Sequence, residues 1–129
     1  MPVAEGRQID FLPESEIQTS LLEVFPYTGE KQNIVYETKE FSCVCPFSGL
    51  PDFGSLKIEH IPSTCCVELK SYKYYLVSFR NVGIYQEAAT NRIFQDLWQV
   101  LMPDYLKVTT VYNTRGGIDA TCVIEKKAV

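Results

Sequence analysis

A chain of 129 residues, 46% hydrophobic and 22% charged, suits one globular domain with its own core. Its net charge of −4 argues against a protein that holds nucleic acid through a broad basic face. No apolar run approaches the roughly 18 residues of a membrane-spanning helix, and Met1-Pro2-Val3-Ala4-Glu5 lacks the pattern of a secretory signal, so neither a membrane nor nucleic acid is an expected partner.

Residues 1–32 read as an arm, with Pro2, Pro13, Pro26, Gly6 and Gly29 and a short helix at Ser15–Leu22; it is expected to pack on a neighbour or on a sheet surface. Residues 33–129 read as a single domain. Ile34, Tyr36 and Thr38 alternate with Val35, Glu37 and Lys39, predicting a strand from Asn33 to Cys45. Pro46 and Pro51 then fix their own φ and push Cys45 and Leu50 out of the helical region, so 43–53 reads as a stiff, bent loop. A second strand, Phe53–Ile61, sets Leu56 and Ile58 against Lys57 and Glu59. Cys65–Asn81 is ambiguous by period, since Leu69, Tyr72, Leu76 and Phe79 sit at helical spacing while Tyr74, Tyr75 and Val77 would equally suit a strand; it is read as a helix, which puts Lys70 and Lys73 on one face, broken by Gly83. Ala89, Ile93, Leu97 and Leu101 form an i,i+4 ladder for a second helix, Tyr85–Leu101, ended by Pro103. Two strands follow, joined at Gly116-Gly117, with Ile118, Ala120, Cys122 and Ile124 as the inner row of the last. Strand, strand, helix, helix, strand, strand is an α+β order: a four-stranded antiparallel sheet with two helices on one face.

The bent loop carries a thiol, Cys45, and a carboxylate, Asp52, the minimum for covalent catalysis with proton transfer. Asp52 would serve best partly desolvated by Phe47 and Phe53. The five cysteines form no CxxC pair, which fits a reduced, cytoplasmic setting, and His60 is the one histidine, so a catalytic metal site is not expected. His60, at a strand end, reads as an exposed or hydrogen-bonded residue, not a base. Glu87 opens the second helix beside Gln86, and Glu68 opens the first; each is a dipole partner or ion-pair member, or an acceptor for an amidine-like edge such as guanine presents. Lys70, Lys73 and Arg115 are solvated charges or phosphate grips. Neither G-x-G-x-x-G nor G-x-x-x-x-G-K-[ST] occurs, so a nucleotide would be held without a dinucleotide fold or P-loop.

Five separated motifs occur in order: Cys45-Pro46-x-Ser48-Gly49-x-Pro51-Asp52-Phe53, Glu68-Leu69-Lys70-Ser71-Tyr72-Lys73-Tyr74-Tyr75, Ser78-Phe79-Arg80-Asn81, Gln86-Glu87 and Arg115-Gly116-Gly117. Over roughly residues 33–125 the chain resembles the NADPH-dependent 7-cyano-7-deazaguanine reductases, the nitrile reductases of queuosine biosynthesis, in their short single-module form. The resemblance implies a tunnelling fold assembled as pentameric rings, paired into a decamer, with active sites at subunit interfaces. It implies that Cys45 attacks the nitrile carbon to form a covalent thioimide, that Asp52 moves the proton from thiol to nitrogen, and that two NADPH complete reduction to 7-aminomethyl-7-deazaguanine. Glu68 and Glu87 would recognise the deazaguanine edge, with Val67, Leu69 and Gln86 lining the pocket. Leu69, Lys70, Arg115 and Gly116 would contact NADPH, and no metal is required.

Gln86 stands where many members have histidine, and Leu69 where serine is common. An amide can still position substrate or a water, and a backbone role at 69 survives. Rival readings are an amidine-forming relative, which uses the same thioimide with ammonia on RNA, and a non-enzymatic scaffold of the same fold. The first lacks the Glu68-to-Lys73 signature; the second makes Cys45 and Asp52 structural. Pterin-making enzymes of this fold need zinc ligands that one histidine does not supply.

Overall fold

Alternating inward residues build the centre of the molecule. In the computed structural model, which describes residues 4–7 and 9–129, the elements are β1 (Val24–Pro26), β2 (Ile34–Val44), β3 (Pro51–Ile61), β4 (Cys65–Val67), α1 (Leu69–Val77), α2 (Gln86–Leu101), β5 (Tyr105–Arg115) and β6 (Ile118–Lys127). Residues 1–3 and 8 of the expected arm lie outside the described residues. The sheet runs β2-β3-β5-β6, antiparallel throughout. Leu56, Ile58 and His60 of β3 and Leu106, Val108, Thr110 and Tyr112 of β5 form its buried face, and Ala89, Ile93, Leu97 and Leu101 of α2 join the same core. Each of these larger aliphatic side chains stabilises the fold by about 2 kcal/mol through apolar burial.

Several expectations need correction. The Ser15–Leu22 helix is two single 3-10 turns, Glu14–Glu16 and Thr19–Leu21. Ile17 and Leu22 of this stretch are buried in the common core. Cys65–Val67 is not helical: it pairs with Val24–Pro26 as a small separate sheet, and Glu68 then caps α1. α1 ends at Val77, well before Gly83, in a tight turn where Phe79 N–H reaches Leu76 and Arg80 N–H reaches Val77. On β6 the inner row is only half-buried, and Ile118 is exposed. His60 is fully buried without a hydrogen bond to either ring nitrogen, and burial lowers its basicity. Its even parity on β3 puts it in the row of Leu56 and Ile58, against the ring of Tyr36 at a centroid distance of 6.1 Å.

Two bulges interrupt the alternation. On β2 the pairing passes from Thr38↔Leu56 to Phe41↔Gly54, so one extra residue is inserted. Inward parity changes from Ile34, Tyr36 and Thr38 to Phe41 and Cys43. On β5 it passes from Tyr112↔Ala120 to Arg115↔Ile118, again with one residue extra. The hairpin then closes on Gly116 and Gly117 at φ 59° and 76°, which only glycine adopts freely in succession.

A buried polar knot ties the early residues to both helices. Asp96 Oδ2 accepts hydrogen bonds from the Tyr75 hydroxyl at 2.6 Å, Arg92 Nε at 2.9 Å and the Thr19 hydroxyl at 3.0 Å. Burial, reinforced by Asp96, pushes the Tyr75 hydroxyl far up, so it stays a donor. Asp96→Ala strands Tyr75 and Arg92 together and is expected to cost about 3 kcal/mol, at the low end for a broken buried pair because Arg92 partly reaches solvent. Denaturant titration checks this; a shift below about 1 kcal/mol would leave the knot without a stabilising role.

Candidate active site

Cys45 sits at the mouth of the β2–β3 hairpin, whose turn is closed by Cys45 N–H to Leu50 O at 2.9 Å and Gly49 N–H to Cys45 O at 2.8 Å. The bent segment is therefore shorter than expected: Cys43 and Val44 end β2, and Pro51 and Asp52 begin β3 with Cys43 opposite Asp52. Pro51 is tolerated as a first strand residue because it owes no ladder hydrogen bond there. Pro46 sets the turn so that following N–H groups face the sulfur. Burial pushes the Cys45 thiol up, but hydrogen bonds from the backbone of Ser48 and Phe47, the Ser48 hydroxyl and the charge of Arg115 outweigh it, and the net shift is down. Cys43 differs in kind: fully buried, its thiol is pushed up to about 11, chiefly by desolvation.

Asp52 is 4% exposed, and its Oδ1 meets the Arg115 guanidinium as an ion pair. Phe47 and Phe53 do not desolvate it; at 81% and 54% exposed, they face solvent. Asp52 is buried because it belongs to the even, core-facing row of β3. The β5 bulge gives Arg115 the parity to meet it.

Cys45 and Asp52 open into a cleft of about 270 Å³ that Gln86, Glu87 and Arg115 also line. Thr90 fixes the wall carrying Gln86 and Glu87, bonding the Gln86 carbonyl at 2.9 Å and Thr110 of β5 at 2.6 Å. Pro46 and Tyr85 complete the lining; sequence reasoning gave Pro46 the bend of the loop and Tyr85 no role in the site. The signal for Tyr85 was its place directly before Gln86-Glu87.

The other candidates lie elsewhere. Val67 is buried in β4. Glu68 caps α1, its Oε2 taking Lys70 N–H at 2.9 Å and its Oε1 Ser71 N–H at 2.8 Å, and these bonds lower its carboxyl. Leu69 lines a second groove, of about 600 Å³, between β2 and α1, with Tyr36, Tyr72, Lys73 and Arg80. Lys70 Nζ lies 5.8 Å from the centroid of the Tyr74 ring, and Gly116 is exposed at the hairpin tip. Within one chain, Val67–Lys70 do not reach the Cys45 cleft.

Thiol reactivity follows from these environments. Alkylation of Cys45, mapped by mass spectrometry, is expected to reach half its maximal rate at a lower pH than an unperturbed thiol does, rising with pH as thiolate forms. Arg115→Ala removes a charge that favours thiolate, so the midpoint should rise; Cys43 should stay unlabelled at neutral pH. A Cys45 midpoint at or above that of a free cysteine peptide measured alongside would contradict the environment described.

Known proteins share this arrangement of elements. The chain covers 99% of archaeosine synthase QueF-Like in its apo crystal form, with 80% of itself aligned, a TM-score of 0.67 and 21% identity, a likeness that speaks for the fold alone. The α+β tunnelling fold expected from the sequence is thereby borne out. Among curated relatives, the protein of Thermotoga petrophila named NADPH-dependent 7-cyano-7-deazaguanine reductase is 56% identical over 122 residues, 94% of this chain and 89% of the relative. The protein of that name from Caldicellulosiruptor bescii is 48% identical over 121 residues, 92% of each chain. The model of the QueF-like protein family matches residues 51–129, a span that holds Asp52, Glu68, Glu87 and Arg115. With that match across more than half its length and relatives of this closeness, the chain belongs to the QueF-like protein family.

Proposed function

We propose that this protein reduces the nitrile of 7-cyano-7-deazaguanine to the aminomethyl group of 7-aminomethyl-7-deazaguanine, with two NADPH per nitrile, on the way to queuosine in tRNA. The observation that carries this reading is a thiol drawn toward thiolate in one cleft with a buried carboxylate. A nitrile is a weak electrophile, and sulfur is the side-chain nucleophile suited to it. Cys45 Sγ forms a bond to the nitrile carbon as a C–N π pair moves to nitrogen, and Asp52 carries the thiol proton to that nitrogen, giving a thioimide. Glu87, exposed on the first turn of α2, accepts hydrogen bonds from the N–H groups of the deazaguanine edge, and Gln86 positions the ring or a water.

The residues present suit a dinucleotide phosphate. Arg115 lines the Cys45 cleft, the exposed Gly116 follows it at the hairpin tip, and Leu69 and Lys70 offer a further contact and charge. When bound, NADPH supplies hydride, once to the thioimide and once to the imine released from sulfur. For Arg115 to grip phosphate, it must share itself with, or leave, Asp52.

A cleft of about 270 Å³ is slightly below the size usual for ligand pockets, which begin near ~300 Å³. Val67, Glu68, Leu69 and Lys70 join it from a second copy in this reading, with the assembly a pentameric ring paired into a decamer. Support comes from β2 and β6, the edge strands of the sheet, of 11 and 10 residues, whose outer sides pair with no named strand among the described residues, Val44 at the end of β2 alone being bridged to Gly83. Catalysis resides in residues 33–129, with residues 1–32 as the arm, and the protein works in the cytoplasm. None of the described helices is long and apolar enough to cross a membrane.

The decisive measurement is stoichiometric. With 7-cyano-7-deazaguanine limiting, loss of reduced nicotinamide absorbance should equal two NADPH per nitrile. Zero consumption would favour the amidine-forming chemistry or a scaffold and would overturn the reading.

A further inference from the structure

The Cys45 turn and the segment leading to Gln86 and Glu87, which carry two walls of the cleft, both touch one short piece of the N-terminal arm. On one side, Gly49 closes the Cys45 turn at φ +76°, and its Cα lies so near the arm that a Cβ there would overlap the carbonyl oxygen of Ile9. On the other side, Gly83 lies under the ring of Phe11, where a Cβ would overlap the ring carbons. Backbone hydrogen bonds join the same parts: Leu12 N–H donates to Asn81 O at 2.8 Å, and Gly83 N–H donates to Leu12 O at 2.8 Å. The ladder continues inward, with Val44 N–H to Val82 O at 2.9 Å and Ile84 N–H to Val44 O at 3.0 Å. Leu12, Val82–Ile84 and Val44 thus form a parallel three-strand patch of single bridges. Val44 directly precedes Cys45, and Ile84 is two residues from Gln86.

We infer that residues 9–12 are a positioning strap, with Phe11 and Leu12 holding the 82–87 segment and Ile9 backing the Cys45 turn, so that nucleophile and substrate-edge acceptor keep a fixed separation. The inference rests on the proposed nitrile chemistry for its catalytic consequence and on geometry alone for its effect on Cys45. Ile9, Phe11 and Leu12 are 51%, 38% and 44% exposed, so little of their worth lies in core burial. An exposed apolar segment that nonetheless makes two backbone hydrogen bonds and two glycine-tight contacts is placed for geometry more than for stability. The Phe47 and Ser48 N–H groups that favour thiolate at Cys45 are in the turn that this strap backs.

The full-length chain tests it with Phe11→Ala, Gly83→Ala and the conservative Phe11→Tyr. Three quantities are read for each: the pH midpoint of Cys45 alkylation, kcat and KM for nitrile reduction, and the denaturant midpoint. Phe11→Ala is expected to raise the alkylation midpoint and lower kcat about tenfold with KM within about twofold, since small misplacements of reacting groups cost that much or more. Gly83→Ala, which wedges the ring away, should act likewise, while Phe11→Tyr should retain wild-type values. An unchanged alkylation midpoint in both alanine variants overturns the inference, as does a kcat loss that merely follows loss of folded protein. If wild type reduces no nitrile, the proposed function fails, yet the alkylation midpoints still decide on the strap.

Discussion

Cys45→Ala is expected to abolish both the covalent adduct and turnover. Intact mass spectrometry of wild type mixed with 7-cyano-7-deazaguanine, without NADPH, should show one added substrate per chain; the alanine variant should show none. Turnover should fall by at least about 10⁴-fold, the scale seen when a nucleophile that acts as a unit with its proton carrier is removed. The fold should persist, because Cys45 is only partly buried and its turn is closed by backbone hydrogen bonds that alanine keeps. The other four cysteines make the control informative. Cys43 is buried two residues away, with its thiol pushed up to about 11, so it does not substitute for Cys45. An equal adduct on Cys45→Ala would remove the covalent mechanism from this site.

Asp52→Asn should leave the fold intact and reduce kcat by about 10² to 10⁴-fold, the usual worth of a placed proton carrier. The amide matches the carboxylate in shape but neither takes the thiol proton nor delivers it to nitrogen. KM should change little, since Gln86 and Glu87 are untouched. The variant also frees Arg115, which is 44% exposed at its side chain and loses little by facing water. Adduct formation followed by mass over time should slow along with turnover. Retention of full activity would assign Asp52 to structure and leave the proton to another group.

What could be read from the sequence follows the range of each interaction. The α2 ladder Ala89, Ile93, Leu97 and Leu101 was legible because its period is local and its burial follows from that period. The Gly116-Gly117 turn was legible for the same reason. Cys65–Val67 was misread because its strand exists only through Val24–Pro26, which lie some forty residues earlier and carry no strand pattern of their own. The burial of His60 follows from strand parity, which overrode its place near the strand's end. At the site, the spacing of Cys45 and Asp52 was legible, and so was the pairing of Gln86 with Glu87. The Asp52–Arg115 ion pair was not, because it depends on a bulge, and an extra residue in a strand leaves no mark in composition.

Those two bulges have a consequence for how the family's chains can vary in length. Each acts as a one-residue phase shift just before a site residue: after Thr38 on the way to Cys45, and after Tyr112 on the way to Arg115. Deleting one residue from 39–40 or from 113–114 would leave Thr38 and Phe41, or Tyr112 and Arg115, two positions apart, which is regular pairing, so both flanks keep their faces and only the local bend is lost. A residue lost from between the bulge and the turn has no such compensation, and turns a run of side chains to the opposite side of the sheet. The count from bulge to turn is therefore inherited like a reading frame, and relatives that preserve the activity should differ there in residue type but not in residue number.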